Sequence, residues 1–115
     1  MTAIYDYKIE VFIPEELVFP LRDELARIGV GVIGNYDHCI AFSLVHGTWR
    51  PLEGANPYNG TIGQISEGTE AKVEVNCKKE LVREALQVIR RVHPYDEPLI
   101  NVIPLANGLF ENPSP

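Results

Sequence analysis

Two strand–helix pairs, one towards each end of the chain, constrain the fold more than any other feature of the sequence. In residues 4–13 apolar side chains occupy alternate positions, which predicts a strand with one buried face. Pro14 and the two glutamates after it open a helix that ends at Gly29. The second pair has an alternating strand at 71–75 and an amphipathic helix at 78–92. Such a chain has to pack two helices against a sheet.

The segment between the two pairs predicts a second strand, a turn and a long loop. We expect the second strand at 38–45, a turn at His46-Gly47 and a short hairpin arm at 48–51. Residues 52–68 are rich in glycine, asparagine and proline, which indicates a long ordered loop. After the second helix, an apolar run at 99–103 predicts the last strand.

The resulting order is β-α-β-β-α-β, with an extra hairpin and a long loop between strands two and three. It predicts an α+β, ferredoxin-like sandwich in which two helices cover one side of a four-stranded antiparallel sheet. We expect residues 1–105 to form this single domain and residues 106–115 to be a flexible tail. Tyr7 and Trp49 are expected on the uncovered face, and bulky groups there predict self-association through that face.

The charge and composition of the chain argue against several classes of partner. The net charge is −6, which disfavours non-specific binding to nucleic acid. No basic amphipathic helix or long apolar run suggests a membrane. The first residues lack the pattern of a signal peptide, so we expect a cytoplasmic protein. Cys39 and Cys77 lack CxxC spacing and are expected to be reduced, buried thiols.

Three segments resemble the YqfO-type insert domain of the Nif-three-like proteins (the NGG-interacting factor three family). They are Ile33–Cys39 (IGNYDHC), Arg50–Tyr58 (RPLEGANPY) and His93–Pro98 (HPYDEP), within a similarity over about residues 5–105. That insert is similar to PII signalling proteins and to CutA divalent-cation tolerance proteins, and bacteria also carry it as a short free-standing protein. The resemblance therefore implies a PII/CutA-like fold. Asp96 departs from the family, which more often has glutamate there.

The larger Nif-three-like proteins carry a two-metal centre and are often labelled as homologues of a GTP cyclohydrolase. Their metal ligands lie in flanking domains, which the resemblance does not include. The resemblance therefore implies a chain without that enzymatic activity.

Histidine and carboxylate side chains in these segments are candidate metal ligands, because imidazole nitrogen and carboxylate oxygen suit Zn, Cu or Ni. If residues 93–98 are extended, their side chains alternate, which places His93 and Glu97 on one side of the chain and Asp96 on the other. His38 and Glu53 could meet His93 at one end of the sheet. The metal candidates are His38, His93 and Glu97, with a divalent metal ion as the candidate cofactor. The structural alternative is that these side chains only hydrogen-bond locally and that the prolines set a corner.

The candidate contacts for a small ligand are Arg50, Glu53, Asn56 and Tyr95. Arginine presents a planar fork that suits carboxylate or phosphate groups. Asparagine in a glycine-rich loop serves equally well as a turn residue. No motif for a catalytic nucleophile, a phosphate-binding loop or a zinc protease is present, so no catalytic residue is predicted.

Two functions from different classes remain. The first is an oligomeric binding or regulatory module of the PII/CutA-like type, with a trimer favoured, that holds a metal ion or small ligand between subunits and has no catalysis of its own. The alternative is a metal-dependent hydrolase related to the GTP cyclohydrolase-like label of the larger proteins. A purely structural adaptor is a third, simpler interpretation.

Overall fold

The computed structural model describes residues 4–111 and confirms the predicted α+β architecture. The elements in chain order are β1 (Asp6–Ile13), α1 (Val18–Arg27), β2 (Ala41–Trp49), β3 (Ser66–Lys78), α2 (Val82–Val92) and β4 (Ile100–Pro104). A short 3-10 turn precedes each helix, and a third one, Ala106–Leu109, follows β4.

The strands form one antiparallel sheet in the order β2-β3-β1-β4, as the ferredoxin-like prediction requires. The two central strands supply one side of the core, where Ile9 lies opposite Val75 and Val11 opposite Val73. The two helices bury their apolar faces against these side chains. The buried core consists of Ile9, Val11, Ile13, Val18, Leu21, Leu25, Val30, Ala71, Val73, Val75, Cys77, Ala85, Val88 and Ile89.

Two prolines define a helix start and a helix end. Pro20 has no backbone N–H to donate within a helix, and the α-helix begins only at Val18. Pro20 is then the third helical residue, a position whose amide has no partner within the helix. At the other end, His93 leaves α2 with a ψ of 129°, because the residue before Pro94 is disfavoured in the α region.

The predicted turn at His46-Gly47 and the hairpin arm at 48–51 are wrong, because all of these residues up to Trp49 belong to β2. Strand β3 also begins earlier than expected, at Ser66, so that Gly47 pairs directly with Gly68. We call the paired strand residues 46–49 and 66–69 the arm, which is distinct from the hairpin arm predicted at 48–51. The arm makes the chain elongated, with a radius of gyration of 16.0 Å against about 13 Å for a compact domain of 100 residues.

The two faces of the sheet can be assigned from the strand register, because paired residues share a face. Tyr7 pairs with the buried Cys77 and therefore lies on the helix-covered side, so its predicted place on the uncovered face is wrong. Trp49 pairs with Ser66 on the uncovered side, as expected. We call the uncovered side of the sheet the open face.

Four charged residues occupy the centre of the open face. Glu10 and Glu74 lie directly opposite each other on β1 and β3, an unfavourable pairing of like charges. Lys8 donates to Glu74 at 2.6 Å, and Lys72 lies 3.5 Å from Glu10. The hydrogen bond and charge of Glu74 raise the pKa of Lys8, and those of Lys8 lower the pKa of Glu74. We call these four residues the quartet, and its charges cancel.

The two cysteines were predicted to be reduced, buried thiols. Cys77 is buried and Cys39 half-buried, and both are free thiols. Burial raises the pKa of Cys77 to about 11, which keeps the thiol protonated.

Residues 112–115 of the predicted tail lie outside the described residues, so the flexibility of the tail stays a prediction. Within residues 4–111, neither helix combines the length and the apolar character that crossing a membrane requires.

Replacing Ile89 by alanine should destabilise the fold, because this side chain is 0% exposed between α2 and the sheet. The expected loss in the free energy of unfolding is about 2–5 kcal/mol, measured by urea denaturation. Leu86→Ala, at a partly buried position on the same helix, should cost less. Equal losses in the two variants would contradict the assigned orientation of α2.

Candidate functional site

The end of α2 is fixed by a buried imidazole. His93 is 8% exposed, and its Nε2 lies 2.6 Å from the carbonyl oxygen of Phe12, at the end of β1. A carbonyl only accepts hydrogen bonds, so Nε2 carries the proton and donates it. Nδ1 then has a free lone pair, which accepts the backbone N–H of Tyr95 at 3.3 Å. Both ring nitrogens are therefore occupied within the chain.

Burial lowers the pKa of His93, although the Phe12 carbonyl and the nearby Glu70 carboxylate favour the protonated form. The neutral ring matches its two hydrogen bonds, since protonated Nδ1 could not accept the Tyr95 amide. In this conformation His93 has no lone pair to offer a metal ion. The hydrogen-bonded, structural alternative for His93 is thus the one that the geometry supports.

Tyr95 is the next fixed side chain of the corner, as we call residues 93–98. Its hydroxyl donates to Glu70 Oε1 at 3.1 Å, and its ring lies 4.6 Å from the ring of His93, measured between centroids. Burial and the adjacent Glu70 carboxylate raise the pKa of Tyr95 to about 12. The hydroxyl therefore stays protonated and remains a donor, which makes Tyr95 a stable platform on the open face.

The loop between β2 and β3, residues 50–65, folds back onto this platform. The backbone N–H of Asn56 donates to Asp96 Oδ2 at 2.9 Å, and the Tyr58 ring lies 5.5 Å from that of Tyr95. Two of the predicted ligand residues, Asn56 and Tyr95, are thus brought to the same place. The contact of Asn56 uses its backbone, which leaves its side chain exposed.

Arg50 and Glu53 lie on the same loop and are both exposed. Within residues 4–111 neither of them forms an ion pair. Glu97 is exposed at the corner. These three side chains are therefore accessible to a ligand, but no contact among the described residues gathers them into one site.

His38 does not lie in the second strand as predicted, but in the loop before it, with a φ of 58°. Its Nδ1 is 2.8 Å from Asp37 Oδ1, and its Nε2 is 3.9 Å from Asp23 Oδ1 on α1. His93 has different neighbours at the end of β1. Among the described residues no three histidine, cysteine or carboxylate side chains form a group that could hold a metal ion.

Trp49 anchors the other half of the loop, a role that the sequence interpretation missed. Its Nε1 donates to the Asn59 carbonyl at 3.0 Å. A Cβ atom at Gly68 would lie 3.4 Å from the indole ring, so the ring lies over this glycine. No local signal in the sequence reveals this role, because it depends on the pairing of Gly47 with the distant Gly68. Glu70 was also missed, although its alternation with Ala71 places it on the open face.

An open groove lies elsewhere on the surface, between the start of α1 and β2. Its lining consists of Glu15, Glu16, Val18, Phe19 and Phe42. None of the predicted site residues lines it. The loop and the corner therefore remain the candidate site.

The stability of the fold should fall as the pH drops below about 6.5, the ordinary pKa of histidine. The pKa of His93 is lower in the folded chain, so the unfolded chain takes up its proton first on acidification. His93 thus contributes fully above pH 6.5, and its contribution is lost towards the folded-state pKa. His93→Gln, which cannot titrate, should reduce the slope of unfolding free energy against pH.

The comparison needs urea denaturation of both chains at pH values above and below 6.5. His46→Gln, on the exposed arm, is the matched control and should retain the His93-linked loss. Parallel curves for the wild type and His93→Gln would contradict the neutral, buried state of this ring.

Replacing Gly60 by alanine should detach the loop from Trp49. Gly60 has a φ of +106°, and an added Cβ would lie 2.9 Å from Trp49 Nε1 and 3.0 Å from Ser66 Oγ. Gly54→Ala is the control, because its φ of +96° carries a similar backbone strain but its Cβ meets open space. Each change should cost about 1–3 kcal/mol from strain. Only Gly60→Ala should shift the fluorescence of Trp49, and identical spectra would refute the anchor.

Comparison with known proteins identifies a similar family and similar relatives. A family model described as CutA1 divalent ion tolerance protein matches residues 60–111. A protein named GTP cyclohydrolase 1 type 2 homolog from Halalkalibacterium halodurans is 37% identical over 101 residues, which are 88% of this chain and 27% of that protein. The chain spans about a quarter of the length of the curated relatives that it matches.

Solved structures share the fold. A Bacillus cereus protein related to NIF3 superposes with a TM-score of 0.77 at 32% identity, over 91% of this chain and 27% of that one. CutA1 from Ehrlichia chaffeensis gives 0.69 at 19% identity, over 92% and 86%. B. subtilis GlnK gives 0.62 at 24% identity, over 89% and 86%. The resemblance stated from the sequence is confirmed: the chain has a CutA1/PII-like fold and is similar in sequence to part of the longer NIF3-related proteins.

Proposed function

We propose that this chain is an oligomeric binding or regulatory module of the CutA1/PII-like type that performs no catalysis of its own. The observation that carries the proposal is the long loop 50–65, which is held against the corner while Arg50 and Glu53 stay exposed on it. Loops on a rigid scaffold are the usual position of ligand contacts. The ligand surface would consist of Arg50, Glu53, Asn56 and Tyr95, at the junction of loop and corner.

The open face supports assembly of several copies, with a trimer as the favoured number. The quartet pairs every charge with an opposite one, so the face can approach another copy without leaving a buried charge unpaired. Val45 and Ile103 add apolar surface on the same face. A metal ion bound between copies would use His38 and Glu97 rather than the saturated ring of His93.

The alternative, a metal-dependent hydrolase, has weaker support. It rests on the name of relatives that are about four times as long as this chain, so their activity does not transfer with the matched segment. A hydrolase would also need ligands for its metal, and the described part of one chain gathers no such group. Metal-dependent turnover of GTP by the purified chain, abolished in His38→Ala, would reverse this order of preference.

Assembly through the open face should be sensitive to the charge of residue 8. Lys8→Glu places a third carboxylate beside Glu10 and Glu74, so the assembly should shift towards the monomer. Combining Lys8→Glu with Glu74→Lys exchanges the two charges and should restore it. Size-exclusion chromatography with light scattering measures the mass of each species.

Lys79→Glu, an exposed change on the helical side, is the matched control and should keep the wild-type mass. Denaturation curves for every variant distinguish loss of assembly from loss of folding. A wild-type monomer at micromolar concentration would overturn the oligomeric part of the proposal.

The ligand part is tested by thermal shift with zinc, copper, nickel, ATP and small carboxylates. ATP is included because a GlnK–ATP complex shares the fold, at 23% identity. A shift that disappears in Arg50→Ala would support the proposed surface. No shift with any of these probes would leave the structural adaptor as the better explanation.

A further inference from the structure

The groove between the start of α1 and β2 is built around two exposed phenylalanine rings. Phe19, in the first turn of α1, is 54% exposed, and Phe42, on β2, is 43% exposed. The ring centroids are 6.0 Å apart and the planes meet at 84°, so the rings form two perpendicular walls. With the buried Val18 they line a space of about 440 Å³, which is in the range of small-molecule sites. We call it the aromatic groove.

The position of β2 at the edge of the sheet explains why these rings are uncovered. Phe42 pairs with the buried Val73, so its side chain lies on the helix-covered side. The core lies over the central strands, whereas β2 is an edge strand that α1 contacts through Phe19. Leu44, the next residue of β2 on the same side, is 55% exposed. Continuous apolar surface of this kind is typical of a binding site.

Two carboxylates determine the charge of the aromatic groove. Glu15 and Glu16 lie in the 3-10 turn before α1, and both are exposed and line the groove. Within residues 4–111 neither of them forms an ion pair. A helix start favours acidic residues in any case, so these two alone would assign no ligand. Beside two apolar rings, however, they favour an occupant that is both apolar and positively charged.

The Phe19 ring already has a cation on one face. The guanidinium carbon of Arg22 lies 4.6 Å from the centroid of this ring. Arg22 donates from Nε to Asp23 Oδ1 at 2.9 Å, so its charge has a partner outside the groove. Aromatic faces attract cations because their electrostatic potential is negative. The rings of the groove can therefore contribute to binding a cation through charge as well as through apolar contact.

We propose that the aromatic groove binds a small protonated alkylamine. The ammonium group would lie beside Glu15 and Glu16, and the alkyl chain would pack against Phe19 and Phe42. The occupant is a free amine and not a lysine of a partner protein, because the groove has the volume of a small-molecule site. The inference goes beyond the proposed function, since none of the loop–corner residues lines this groove.

Three four-carbon ligands test the chemical selectivity of the aromatic groove. Butylammonium, butanol and butyrate share an alkyl chain and differ in charge. Each is titrated into the full chain labelled with ¹⁵N, and the shifts of the backbone amides are followed by NMR. Butylammonium should give saturable shifts at Phe19 and Phe42, with a millimolar dissociation constant because so small a ligand makes few contacts. Butanol should bind more weakly, and butyrate should give no saturable shift.

Two variants separate the contributions of the rings and the carboxylates. Phe42→Leu keeps an apolar side chain but removes the aromatic face, so it should weaken butylammonium by about two- to fivefold and leave butanol unchanged. The double variant Glu15→Gln, Glu16→Gln should weaken butylammonium by at least about twofold. Glu84→Gln removes an exposed carboxylate on α2 and is the matched control, with wild-type affinity expected. Thermal denaturation of each variant checks that it is folded.

Several results would overturn the proposal. Equal affinity for butylammonium and butanol would show that the groove selects apolar surface without regard to charge. An equal loss in Glu84→Gln and in the double variant would show attraction by the net charge of the chain alone. Shifts that map away from the groove, or no saturation up to tens of millimolar, would exclude an amine site there. Each of these results leaves the loop–corner surface untested, so the two proposals fail separately.

Discussion

The hydrogen bond from the His93 ring to the Phe12 carbonyl is the interaction on which the candidate site depends. It joins the end of α2 to the end of β1 at 2.6 Å, inside the fold. The same ring accepts the Tyr95 amide, so one neutral imidazole satisfies a buried acceptor and a backbone donor at once. Pro94 restricts the backbone between them. Tyr95 is then directed towards Glu70, and the loop rests on Tyr95.

A second constraint comes from residues without side chains. Gly68 pairs with Gly47 in the arm, and its missing side chain leaves room for the indole of Trp49. Trp49 in turn holds Asn59, and close contacts surround Gly60. A glycine in a strand weakens it, but here Gly68 allows a long loop to be attached to the strand through Trp49. The loop is ordered by the arm at one half and by the corner at the other.

The regular elements were predictable because their residues repeat with the period of the structure. Alternation at Ile9, Val11 and Ile13 assigned β1 and its buried side, and the pattern of α2 ended correctly at His93. The arm was not predictable, since Gly47 is typical of a turn and only pairing with Gly68 makes it part of a strand. Local sequence carries no information on such a distant partner.

The candidate site was predictable only in part, for the same reason. His93 and Tyr95 were correctly placed at the exit of α2, and Asn56 on the loop that meets them. Their partners Glu70 and Phe12 come from other strands and carry no motif. His38 was placed on a strand by its apolar neighbours, whereas its φ of 58° breaks the extended conformation before β2 begins.

Strand β3 connects the two surfaces on which the proposed function depends. Glu70, Lys72 and Glu74 are successive open-face residues of this strand: the first binds Tyr95, and the other two belong to the quartet. Successive residues on one face of a strand lie about 7 Å apart. Copies that assemble through the quartet would therefore bring a neighbouring chain close to the Tyr95 platform. A ligand between loop and corner would then contact the assembly and not one chain alone.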